Sequence, residues 1–112
     1  MIIMNSSKLN SEVHLMKDLI DFQEGSVVSR QLIKKDTGNV TLFAFDQGEG
    51  LSEHTAPFEA LVLVIDGKAE IIIDKLSFSV NEGEMIILPA NIPHAVKANE
   101  KFKMVLVMIK TN

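Results

Sequence analysis

The stretch GEGLSEHTAPFEALVLVIDG, residues 48–67, decides the fold. Gly48 and Gly67 bracket one histidine, His54, a break at Pro57 and an apolar run from Ala60 to Ile65. In that run Ala60, Val62 and Val64 share one face of a strand and Leu61, Leu63 and Ile65 the other, so both faces need cover. Asp66-Gly67 follows, a dipeptide that favours a tight two-residue hairpin, and it predicts a second strand from Ala69 to Ile73.

The same grammar extends in both directions. Strands are expected at 26–33, 39–45, 60–65, 69–73, 76–80, 84–88, 94–98 and 103–109, separated by DTG, DQGEG, DG, DK, NEG and PANIP, each with a residue suited to a turn. Short strands with frequent turn signals describe a barrel or sandwich. Residues 103–109 repeat the two-sided apolar pattern, with Met104, Leu106 and Met108 opposite Val105, Val107 and Ile109. One side of such strands faces a barrel interior; the other needs a second sheet or a second subunit, and homodimerisation through an apolar sheet face is the expectation. Before the strands, Val13, Met16, Leu19 and Ile20 recur near helical spacing, which predicts a short N-terminal helix or extension capped by Asn10 or Ser11.

The 112 residues make one domain with one core, and no linker or repeat divides them. With six Phe, no Trp and no Tyr, the core falls to Val, Ile, Leu and Met, whose β-branched members favour strands. Fifteen acidic against 11 basic side chains, a net charge of -4, supply no basic patch, so nucleic acid is not an expected partner. The absence of cysteine excludes disulfides, thiolate metal sites and thiol nucleophiles. No apolar run approaches the roughly 20 residues of a membrane span, and the first residues lack the basic start of a secretory signal. A cytoplasmic location with no membrane partner is the expectation.

Among the three histidines, His54 and His94 stand at strand edges beside proline turns, and neutral imidazole is both a metal ligand and a group that titrates near neutrality. A lone histidine in such a place is more often a hydrogen-bonded structural residue. The pair has a more specific context, because residues 48–67 and the later GEMIILPANIPH resemble the two motifs of the cupin family, in particular its small single-domain conserved-barrel type. Gly48, His54 and Gly67 hold their places in the first motif, while Ala56 stands where that motif has a second His and Ala60 where it has Glu. In the second, Gly83, Pro89 and His94 match, Asn91 replaces a Gly and Ala98 an Asn. Asn91 is a mild change, since Asn tolerates left-handed backbone.

The resemblance implies an all-β, double-stranded β-helix (jelly-roll) barrel over about residues 40–109 of a single 1–112 domain, and a small-molecule ligand inside it. It also implies a divalent metal (Fe, Mn, Ni or Zn) at His54 and His94, partial or weak because half of the family's ligand set is missing. Glu59 joins them only if the chain bulges or turns between Pro57 and Glu59, since a regular strand would point it away. Ala56 and Ala60, two small residues at ligand positions, enlarge an apolar cavity whose further expected walls include Val62, Phe43, Met85 and Met104. A binding protein is the first reading. A metal-dependent enzyme, a dioxygenase or an isomerase or epimerase, is the alternative.

Overall fold

A computed structural model describes residues 1–4 and 9–111. Its strands are β1 (Ile2–Ile3), β2 (Val27–Lys35), β3 (Gly38–Phe45), β4 (Gly50–His54), β5 (Phe58–Ile73), β6 (Leu76–Asn81), β7 (Met85–Leu88), β8 (His94–Lys97) and β9 (Phe102–Lys110). They follow the order β1-β2-β3-β9-β5-β8-β4, with β6 and β7 also paired to β5. The sheet curls on itself into the expected all-β jelly-roll barrel.

β5 holds the two halves together. Its first half, from Phe58, lies between β7 and β9, and its second half, to Ile73, lies between β6 and β8. The expected hairpin at Asp66-Gly67 is therefore replaced by one continuous 16-residue strand. Gly67 does leave regular geometry, with φ of 78°, and the pairing with β9 shifts register between Val64 and Asp66, so the dipeptide makes a bend that carries the strand from one half of the barrel to the other. The tight hairpin lies at Asp74-Lys75, where φ values of 49° and 69° match the mirror-image turn that suits strand twist.

Strand alternation partitions the apolar residues cleanly. Phe45, Ala60, Val62, Val64, Ile71, Phe102 and Met104 fill the interior. On the outer face Val28, Leu42, Ala44 and Val105 form a second cluster, covered by Leu19, Ile20 and Phe22. The chain's own N-terminal segment thus supplies part of the cover that the two-sided strands demand. That role also explains the correction to the expected helix: residues 11–22 contribute only a 3-10 turn, Met16–Leu19, preceded by Leu15 in extended backbone with no side-chain cap. An extended strap sets Leu19, Ile20 and Phe22 against the sheet, whereas Val13 and Leu15 point to solvent. Lys103 fastens it, its buried ammonium donating to the Lys17 carbonyl at 2.7 Å and sitting 5.0 Å from the Phe22 ring centre.

Among the described residues the cover is incomplete. One cross-strand row of the outer face runs Ile87, Leu61, Val107, Val40, Ile33. Its ends, Ile87 and Ile33, are 50% and 53% exposed, and Ile109 beside it is 61% exposed.

Candidate functional site

The site starts from two short strands whose pairing brings distant residues together. β4 and β8 run antiparallel with His54 directly opposite His94, after a register shift between Leu51 and His54. Two connections hold this geometry. The Asn91 amide donates to the Ala56 carbonyl at 2.8 Å, joining the loop after β4 to the loop before β8, and Asn91 itself has φ of 63°, the left-handed backbone that a glycine would otherwise supply. The Asp74 amide donates to Pro93 at 2.8 Å and anchors the entry to β8.

The two imidazoles meet edge to face, ring centres 4.4 Å apart, with Nε2 to Nε2 3.1 Å. His54 Nδ1 lies 2.7 Å from the Ser52 carbonyl and His94 Nδ1 3.2 Å from the Ile92 carbonyl. A carbonyl only accepts, so each Nδ1 carries the hydrogen, and in the neutral rings both Nε2 atoms are bare acceptors. Two facing lone pairs at hydrogen-bond distance repel unless something positive bridges them: a shared proton, a metal ion or a ligand's donor hydrogen. Burial holds His94 below the ordinary histidine range; the Ile92 carbonyl opposes that shift and charge on His54 reinforces it. The lower His94 value favours the bare-acceptor form at neutral pH.

Behind the pair lies a cavity of about 60 Å³ inside the barrel. Of the residues expected there, His54, His94, Ala56, Ala60, Val62 and Met104 all line it. Three others lie elsewhere. Glu59 is exposed on the outer face of β5, because that strand is already regular at Phe58 and its register shift falls at Val64/Asp66 and not after Pro57. Met85 pairs with Leu63, also on the outer face, and is 47% exposed. Phe43 is interior but stacks on Phe45, ring centres 5.9 Å apart, and fills the barrel beside the cavity without lining it. Leu51, Phe58, Leu88 and Val96 complete the wall along with Leu106 and Met108. Phe58 and Val96 were legible from alternation with Ala60 and His94; nothing local marks Leu51 or Leu88.

The donor set does not fit a metal saturated by protein ligands. Among the described residues no group of three or more His, Asp or Glu side chains is arranged to hold an ion. His14, the third histidine, is bound elsewhere, with Nε2 3.2 Å from the Leu9 carbonyl. A wider depression, of about 350 Å³, lies over β5 and β6 and includes Glu70. That carboxylate already accepts from Ser77 and Asn99, each at 2.7 Å, and these bonds hold it below the usual carboxylate range. The depression offers no chemistry comparable to the imidazole pair.

A curled β-barrel with a small apolar interior cavity belongs to an architecture that serves small-molecule-binding proteins and enzymes alike. The chain belongs to the cupin family: the model for the cupin domain matches residues 41–110. Among solved structures it is similar to a conserved protein of unknown function from Streptococcus pyogenes, at 32% identity and a TM-score of 0.89 over 97% of both chains. It is similar also to a cupin 2 conserved barrel domain protein from Leptotrichia buccalis, 43% identical with a TM-score of 0.82, matching 84% of this chain but only 46% of that one. A cupin superfamily protein from Desulfitobacterium hafniense is 28% identical, with a TM-score of 0.87 over 96% of this chain and all of its own. No match was found among curated proteins.

Proposed function

We propose that this cupin binds a small molecule in the barrel cavity, oriented by hydrogen bonding to His54 and His94. The observation that carries the reading is the convergence of two Nε2 acceptors on one wall of an otherwise apolar cavity. Such an arrangement suits a compact aliphatic ligand with an N–H or O–H group, because the acceptors find their hydrogen while the apolar walls take the rest. A cavity of about 60 Å³ is smaller than the ~150 Å³ that admits benzene, so aromatic rings require movement of the walls. A divalent ion on the same two imidazoles would need water or ligand for its remaining positions, which makes its binding weak. An enzymatic role remains the alternative reading. A cytoplasmic location belongs to the proposal on sequence grounds alone.

The test is methyl NMR of the labelled chain with a library of small fragments. Binders are expected to shift the Met104, Met108 and Leu106 methyls together, and His94→Ala is expected to weaken those carrying N–H or O–H about three- to tenfold, the value of one or two hydrogen bonds. Zinc titration of the same sample should give micromolar or weaker affinity that falls further in His54→Ala. Fragments that perturb only outer-face methyls such as Met85 and Ile87, or tight zinc binding indifferent to both histidines, would count against the proposal.

The exposed outer row supports a second element of the same reading, a homodimer that buries Ile87, Leu61, Val107, Val40 and Ile33 against a second copy. Light scattering across a dilution series is expected to give twice the mass of the chain for the wild type and the monomer mass for Ile87→Glu. A monomeric wild type at high concentration overturns it.

A further inference from the structure

Lys110 interrupts an apolar file. On β9 the residues Phe102, Met104, Leu106, Met108 and Lys110 share the face turned into the barrel, and register pairs the last four with Val64, Val62, Ala60 and Phe58 on β5. Phe58, Ala60, Val62, Leu106 and Met108 line the cavity, so the next place outward on the same face, level with Phe58, belongs to the lysine. Its strand end is held in place, with the Lys110 amide donating to the Thr37 carbonyl at 2.8 Å and the Thr111 hydroxyl to the Pro57 carbonyl at 2.8 Å. The side chain is exposed, and among the described residues it has no ion-pair partner. Glu59, between Phe58 and Ala60, lies on the opposite face of β5.

We infer that Lys110 selects an anionic end group, so that the ligand is a short aliphatic hydroxycarboxylate, with its hydroxyl donating to the imidazole pair, its alkyl part inside and its carboxylate at the rim. The inference rests on the binding reading above and adds the charge and orientation of the ligand. Two features favour this orientation. The bare Nε2 atoms of His54 and His94 repel a carboxylate placed against them, which directs the charged end away from the imidazoles. The remaining cavity walls are apolar, so an ionised group inside them would lose its hydration without a partner, whereas at the rim it keeps water and gains an ammonium. The cavity volume, about 60 Å³, limits the buried part to a few carbons.

3-Hydroxybutyrate and its methyl ester share the hydroxyl and the carbon chain and differ in charge, and NMR titration of the full chain with each isolates the charge term. The wild type is expected to bind 3-hydroxybutyrate on the order of three- to fivefold more tightly than the ester, the range of an exposed ion pair, with the preference shrinking as salt is raised. Lys110→Gln should remove the preference by weakening 3-hydroxybutyrate alone, and Lys110→Arg should retain it. Ala56→Leu, which plugs the cavity, should weaken both ligands. Equal affinities in the wild type, or a preference that survives in Lys110→Gln, overturn the role of Lys110 while leaving the cavity reading in place if Ala56→Leu still weakens both. Failure of both ligands to shift cavity methyls in the wild type overturns the cavity reading and this inference with it.

Discussion

Replacing Phe102 with alanine is expected to cost about 3–5 kcal/mol of stability, the range for truncating a fully enclosed aromatic ring. The side chain is 0% exposed and stacks on Phe45 with ring centres 4.6 Å apart and planes 12° from parallel. Phe102 pairs with Phe45 on β3 and with Gly67 on β5, so the ring stands where three strands of the barrel meet. Its removal leaves a void bounded by strands that are hydrogen-bonded on both edges and have little freedom to collapse. Urea denaturation measures the loss. A cost near 1 kcal/mol would mean that the barrel closes around the gap, and that this end of the core is less rigid than its packing implies. Phe102 is also the end of β9 farthest from Lys110, on the order of 27 Å away along an extended strand, so ligand binding in the surviving folded fraction should be unchanged.

Gly67→Ala is expected to be nearly as damaging, at about 2–4 kcal/mol, for a different reason. A Cβ at this position would stand 2.4 Å from the Lys101 carbonyl oxygen and 3.1 Å from Phe102 Cα, both backbone atoms that move only with β9. Backbone with φ of 78° adds its own penalty for an L side chain, about 1–2 kcal/mol. Gly25→Ala separates the two contributions: φ is 66° there, yet an added Cβ meets nothing within 4 Å. Thermal melts of the two variants should therefore differ, with Gly25→Ala showing the conformational cost alone. Equal losses would show that β9 yields to the extra carbon without cost.

Gly67 also marks where local sequence grammar reaches its limit. Asp66-Gly67 between two apolar runs has the composition of a hairpin, and a strand that bends between two halves of a barrel uses the same residues, because both need a left-handed position flanked by buried strands. The choice is made by what pairs with each run. Phe58 to Gly67 finds β9, and Lys68 to Ile73 finds β6, so the strand continues. β4 was missed for a related reason: Gly50 to His54 is polar and largely exposed, and it forms a strand only because β8 lies beside it. The N-terminal segment shows the reverse case, with helical spacing overridden because Leu19, Ile20 and Phe22 gain more by lying along an apolar sheet than by forming a turn of helix around themselves.

The site divides along the same line. Alternation within a strand is local, so the sequence by itself determined that Ala60 and Val62 share a face, that Met104, Leu106 and Met108 share another, and that a regular strand after Pro57 turns Glu59 away from Ala60. The spacing of Gly48, His54 and Gly67, and of Gly83, Pro89 and His94, determined the family and hence the barrel. Only the tertiary structure decided that His54 and His94, 40 residues apart, meet Nε2 to Nε2 at 3.1 Å, and that Phe43 fills the core beside the cavity without lining it. It also decided that Lys110 comes level with Phe58 at the rim. The physical reason is that periodicity fixes which side chains point the same way along one strand, whereas the strand lying opposite is selected by burial summed over the whole sheet, and no short stretch of sequence carries that sum.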